Sequence, residues 1–307
     1  MFKFSFILFC AVLLDFVCSE NLNFLVHPVI LIGKLILFLE RRLKNGYILC
    51  ALVLILAGIT AGIFLFMFDF NIFAQIYLIY LALAWRDLKD ETLIIAESLF
   101  KNNIPEAKKF LSRVVGRDTQ NLNKTEISRA TVETIAENSI DGIMSVMFYA
   151  LVGYIINKNL IGVFVWIFKA VSTLDSMIGY EKYKNFGKPS AKLDDVLNFL
   201  PARLGGIIII IAGGFKIKNL KIFLRDRLKH KSPNSAHGES AFGAVLNLKL
   251  GGEAYYNGKF EEREFIGGNN NPEAFDIIRA QNLLDRSCAL FAIVIIFMAE
   301  FFALICA

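Results

Sequence analysis

Tyr47-Ile-Leu-Cys-Ala-Leu-Val-Leu-Ile-Leu-Ala-Gly-Ile-Thr-Ala-Gly-Ile-Phe-Leu-Phe-Met-Phe68 is a long apolar run without a charged residue. Such a run matches the hydrocarbon core of a bilayer when it is helical. Further apolar segments lie on either side of it. Phe4 to Val17 precedes it, and Phe70 to Trp85 returns after the break at Asp69. Ile143 to Ile156 and Leu160 to Val171 flank Asn157-Lys158-Asn159 and predict a hairpin, because one straight helix would put Lys158 at mid-bilayer. Ser287 to Ala307 reads as a terminal span, and Met1 to Val17 as a retained first span. Leu204 to Phe215 is too short to cross comfortably. Gly205-Gly206 and Gly213-Gly214 bracket it, which fits a re-entrant or interfacial segment.

The chain has 307 residues, 56% hydrophobic and 20% charged, with 29 Phe. That apolar share exceeds the usual one for a soluble domain. The expected fold is all-α: a polytopic helical membrane protein with folded helical cytosolic loops, forming a single domain over 1–307. Asp87 to Phe100 and Ile104 to Val115 carry helical apolar spacing, with Pro105 in the first turn of the second.

Net charge is +5, and Lys and Arg gather as Arg41-Arg42, Lys108-Lys109 and Arg225 to Lys231. Basic loops set orientation. The charged segments Glu20 to Asn45, Arg86 to Gly142 and Ser172 to Arg203 alternate with short breaks, which puts them in the cytosol and the N-terminus outside. No aromatic–basic pattern accompanies these clusters, so nucleic acid is not an expected partner. The five cysteines, Cys10, Cys18, Cys50, Cys288 and Cys306, sit in or beside apolar segments with no Cys-x-x-Cys, and read as packing residues.

Polar motifs fill the loops. Thr125 to Asp141 reads as a helix capped by Thr125, with Arg129, Glu133, Glu137 and Asp141 at four-residue steps. Two readings stay open there. Either Arg129 neutralises Glu133 on a solvated face, or the carboxylates with Asn138 hold a hard cation such as Mg²⁺. Gly116-Arg117-Asp118-Thr119 is a turn just before, with a guanidinium suited to phosphate or carboxylate and Asp118 as a further metal candidate. Asp175 ends an apolar arm. Asp194 and Asn198 share a helix face, Asp195 points elsewhere, and Arg203 follows Pro201 as a candidate anion ligand. Ser232 to Glu239 reads as a turn before a small-residue helix, Ser240 to Leu248. His237 and His27 are each either structural or a base. Neither a Gly-x-Ser-x-Gly elbow nor a P-loop occurs, so a triad hydrolase and a P-loop ATPase are both disfavoured.

Together these motifs closely resemble the CobD/CbiB family, the adenosylcobinamide-phosphate synthases of cobalamin biosynthesis. The resemblance rests on His27-Pro28-Val29 with Ile32-Gly33, Val115 to Thr119, and Arg129-Ala130 with Glu133-Thr134, Ala136-Glu137-Asn138 and Asp141-Gly142. Thr173 to Tyr180, Asp194-Asp195 with Asn198, Pro201 to Leu204, Ser232-Pro233-Asn234 and Leu250-Gly251-Gly252 complete it in family order. The chain departs from the family pattern at Ser172, where Asn is usual, at Ser145-Val146-Met147, where Pro often follows the Asp-Gly helix, and in a longer hairpin.

The resemblance implies a multi-pass protein of the cytoplasmic membrane with a cytosol-facing site. Its activity would be ATP-dependent amide ligation of adenosylcobyric acid with (R)-1-aminopropan-2-ol or its O-phosphate. It implies Mg²⁺ as cofactor, ATP as co-substrate, and contact with other enzymes of that pathway. Mapped onto this chain, Glu133, Glu137, Asp175 and Asp194 are the catalytic candidates. Arg117, Thr119, Arg129, Asn138, Asn198, Arg203 and Asn234 are the substrate-binding candidates, and Asp118, Glu137 and Asp141 the metal candidates. The rival readings are a transporter with Asp15 and Asp175 along its path, and a non-catalytic scaffold.

Overall fold

A computed structural model describes residues 4–18, 27–179, 184–256 and 258–305. Tyr180 of the Thr173 motif, Ala307 of the terminal segment and the stretch 19–26 lie outside them. The chain forms two compact units.

The first unit comprises 1–84, 142–198 and 292–307. Its helices are α1 (Phe4–Val17), α2 (Pro28–Glu40), α3 (Gly46–Met67), α4 (Ile72–Ala82), α8 (Ser145–Asn157), α9 (Ile161–Ile178) and α10 (Lys184–Leu197), with the end of α14 (Ala274–Ile305). By length and composition α3, the continuous helix Lys124–Asn157, α9 and α14 are each able to cross a membrane, with a fifth crossing if α10 and the helix after it count as one. The 22 residues of α3 rise about 33 Å, enough for a bilayer core.

One stripe of α3 (Leu49, Val53, Ala57) packs with Ile36 of α2 and with Ala170, Leu174 and Ile178 of α9. Its opposite stripe (Ile48, Leu52, Ile55, Ile59, Ile63, Phe66) is exposed and wholly apolar. In water that stripe would drive aggregation, whereas lipid is its natural neighbour.

The hairpin forms as the sequence predicts, with α8 packed on α9 and Lys158 in the turn. Buried Gln75 fastens it, donating to Asn159 O at 2.6 Å and accepting from Gly162 N at 2.8 Å. The sequence reading missed α2 inside the expected loop Glu20 to Asn45. Its start signal is local: Pro28 fills the first helical position, and His27 Nδ1 accepts from Val29 N.

The second unit comprises 85–141 and 199–291. It holds α5 (Trp85–Phe100), α6 (Ile104–Val114), α7 (Lys124–Asn138), α11 (Phe199–Ala212), α12 (Ile217–Asp226), α13 (Ser235–Leu246) and the start of α14. Four short strands join them. The strand β1 (Lys249–Gly251) pairs antiparallel with β4 (Phe265–Gly267), and β2 (Ala254–Tyr256) with β3 (Lys259–Glu261). The α5 and α6 helices match their predicted ranges closely.

Two local expectations change. The cap of α7 is Asn123, not Thr125, because Asn123 and Glu126 close a reciprocal capping box. Helix α13 begins at Ser235 and takes in most of the expected turn. After α7 the backbone widens into a π-helical turn, Ser139–Met144.

Candidate functional site

Helix α7 brings a carboxylate into the interior of the second unit. Glu133 is 1% exposed, a position that requires partners. It has several. Arg117, from the turn before α7, bonds Oε2, and Arg263 Nη1 stands 3.8 Å from the same oxygen. Oε1 accepts from the Gly251 amide at 2.6 Å. Gly251 has φ +79°, and a Cβ there would fall 2.3 Å from Glu264 O, so glycine alone lets β1 come this close. Burial would weaken the hold of Arg117 on its proton, but Glu133 and Tyr256 reverse this and keep the guanidinium charged.

Arg263 is shared. Its Nη2 also meets both oxygens of Glu239 on α13 at 3.1 Å. Glu239 is 2% exposed. Burial pushes its carboxyl up to about 8, with Glu133 and Glu137 adding to the rise and Arg263 opposing it. Two guanidinium groups thus face three carboxylates, an imbalance that favours the protonated form of Glu239. Sequence reasoning missed Arg263 and gave Glu239 no role. Glu239 comes from α13, which packs on α7, and Arg263 from the stretch between β3 and β4, so neither shares a spacing pattern with Glu133.

The other candidates divide by what they touch. Half-buried Glu137 accepts from Ser235 Oγ at 2.9 Å, joining α7 to the start of α13. Arg129 does not neutralise Glu133. It donates to Lys249 O at 3.3 Å and lies over the Phe265 ring. Asp118 is exposed and anchors the β2–β3 hairpin, bonding Tyr255 O through its amide and Gly258 N through its carboxylate. Thr119 is buried, and Asn138 donates to Thr134 O within its own helix. Arg203 donates to Asn234 Oδ1 at 3.2 Å and to Phe199 O at 2.7 Å.

In the first unit, Asn198 donates to Asp194 Oδ2 at 3.0 Å and accepts from Ser145 Oγ at 2.7 Å, so the shared face read from their spacing is real. Asp175 lies on α9, one turn before the helix ends at Ile178.

Among the described residues, no three His, Cys, Asp or Glu side chains gather so as to hold a metal ion. A protein cage for Mg²⁺ is therefore absent there. An ion that arrives on a nucleotide needs only one or two carboxylates.

A family model described as CobD/Cbib protein matches residues 8–284. The chain belongs to the CobD/CbiB family. It is 41% identical over 278 residues to a cobalamin biosynthesis protein CobD of Clostridium tetani, covering 84% of this chain and 85% of that one. The similarly described protein of Clostridium perfringens is 39% identical over 279 residues, covering 84% and 86%. That of Halalkalibacterium halodurans is 33% identical over 299 residues, covering 91% and 92%. No solved structure matches the chain. Membership makes this a cobalamin-biosynthesis protein of the CobD type, and its apolar helices make it a multi-pass membrane protein.

Proposed function

We propose that this chain forms an amide bond between the free carboxylate of adenosylcobyric acid and (R)-1-aminopropan-2-ol or its O-phosphate, with ATP as the energy source. The observation that carries the reading, beside family membership, is the closure of distant motifs on one another in the second unit. Glu133 meets Gly251 across 118 positions, and Glu137 meets Ser235 across 98. A fold that needed only to anchor a chain would not bury so much charge.

The chemistry needs three things from the protein. A carboxylate is a poor electrophile, so one of its oxygens first attacks the terminal phosphorus of ATP and ADP leaves. Arginine side chains offset the charge on those phosphates. The amine nitrogen then attacks the acyl carbon, phosphate departs, and the proton lost from nitrogen passes to a protein carboxylate. Mg²⁺ bound to the nucleotide would supply Lewis-acid charge at the phosphates, held by Glu137 and Asp118.

We assign Arg203 and Asn234 to anionic substrate. Arg117, Glu133, Glu239 and Arg263 hold the frame rather than the ligand, because their charges are spent on one another. Asp175 and Asp194 are the candidate carboxylates of the first unit. The site faces the cytosol in this reading, as the loop charge implies.

The test uses purified full-length protein in nanodiscs with adenosylcobyric acid, ATP and each amine in turn. ADP release should require both corrinoid and amine, and mass spectrometry should find the amide. A folded sample that yields no amide with either amine would refute the ligase. Movement of a corrinoid or cation across vesicles without ATP turnover would favour a transporter instead.

A further inference from the structure

Three helices of the second unit meet at a corner where, among the described residues, no carboxylate pairs with the arginines. A Cβ at Gly206 of α11 would fall 2.7 Å from the Phe223 ring of α12 and 3.3 Å from His237 O of α13, so glycine lets the three close up. The Phe223 ring meets the His237 imidazole edge-on, centroids 6.0 Å apart. Arg227 ends α12 one turn after Phe223, its amide bonded to Phe223 O, and therefore extends from the same face. From α11, Arg203 reaches Asn234, which stands at the N-cap of the 12-residue α13. Among the described residues, the Asn234 side chain makes no capping bond to that helix. The first-turn amides of α13 thus keep their outward dipole.

The polar groups at this corner are short of partners. Among the described residues, neither nitrogen of His237 makes a well-aligned hydrogen bond, although the residue is 0% exposed, and the Asn234 backbone is its one polar contact. Arg227 Nε and Ser240 Oγ likewise lack a hydrogen bond. Each such group costs about 1–3 kcal/mol when left unmet, so several in one place call for an explanation. The charge is lopsided as well. Burial first, and then Arg203 and Arg227, push the His237 imidazole down to about 4. No ion pair with an acid satisfies either arginine among the described residues. A corner with two guanidinium groups, an unmet imidazole and a helix N-terminus lacks a dianion.

We propose that Arg203, Arg227, His237 and the first turn of α13 form a phosphate-binding site. The neutral imidazole offers one N–H, the arginines offer forked donors, and Ser235 in the same turn links the site to Glu137. The identity of the molecule that carries the phosphate rests on the ligase reading. ATP and the O-phosphate of the amino alcohol present the same chemistry to these groups.

Binding tests the site without turnover. Inorganic pyrophosphate and (R)-1-aminopropan-2-ol O-phosphate are titrated calorimetrically into the full chain in neutral-lipid nanodiscs. Saturable binding of at least one is expected. Arg203→Gln and Arg227→Gln should each weaken it about tenfold or more, while Arg86→Gln, at an exposed pair with Asp90, should leave it unchanged. Pyrophosphate as the tighter ligand identifies a nucleotide, and the phosphomonoester identifies the amine substrate.

A melt of each variant separates misfolding from lost affinity. Should Arg227→Gln fail to fold, ¹⁵N-histidine spectra of the wild type give a second measurement, in which the His237 resonance, assigned with His237→Gln, must move on adding the anion. Unchanged affinity in folded Arg227→Gln, or an unmoved His237 signal, overturns the site and leaves the ligase untouched. A chain that binds phosphate but forms no amide fails only the ligase.

Discussion

Two charged regions of the second unit carry arginines, and they use them in opposite ways. Around Glu133 the arginines are outnumbered, and each of Arg117 and Arg263 grips a buried carboxylate. At the α11–α12–α13 corner Arg203 and Arg227 face each other and a neutral histidine. The first arrangement is complete without a ligand and serves as a frame. The second is incomplete and fits an anion. The lesson is that an arginine in a motif is not a ligand by virtue of the motif. What decides is whether the fold has already given it a counter-charge.

The comparison breaks most easily at Glu133. Glu133→Gln leaves Arg117 and half of Arg263 buried without a counter-charge, and should destabilise the protein by about 3–5 kcal/mol. Chemical denaturation in detergent reads this. A variant within about 1 kcal/mol of wild type would mean that the frame is not a frame.

Glu239 sharpens it through pH. Its folded carboxyl sits near 8, above the ordinary 4.5, so between those values the folded state binds more protons than the unfolded one. Stability from this group therefore falls as pH rises through that window. Glu239→Gln imitates the protonated acid. It should melt close to wild type near pH 5 and progressively above it as pH approaches 8. A constant gap across the window would show that Glu239 is ionised throughout.

The smallest expected effect is at the corner. Arg227→Gln removes a charge that repels Arg203, so stability should change by less than about 0.5 kcal/mol in either direction. Turnover should nevertheless fall about tenfold or more. A loss of stability in proportion to the loss of turnover would move Arg227 into the frame.

Much of the site was legible as residues but not as roles. Arg117 and Arg203 read alike in sequence, each beside a residue that shapes the backbone, Gly116 or Pro201. Only the approach of α7 to one of them separates their functions. Glu133 and Glu137 share a face by spacing, yet one faces a strand amide and the other a serine on α13. The π turn that follows Glu137 is set by packing on both sides of the helix, which no single-sequence periodicity reports.

The sequence by itself determined the class of the molecule, the hairpin around Lys158, helices α5 and α6, and the family. These follow from local quantities: the length of an apolar run, the position of a charge within it, the spacing of apolar residues, and motifs in order. Tertiary structure alone decided that Arg263 and Glu239 join Glu133, and that Arg227 and His237 face Arg203. Each of those depends on segments far apart in the chain. Buried charge is costly enough that its partners must be found wherever the fold can bring them, and sequence distance does not limit that choice.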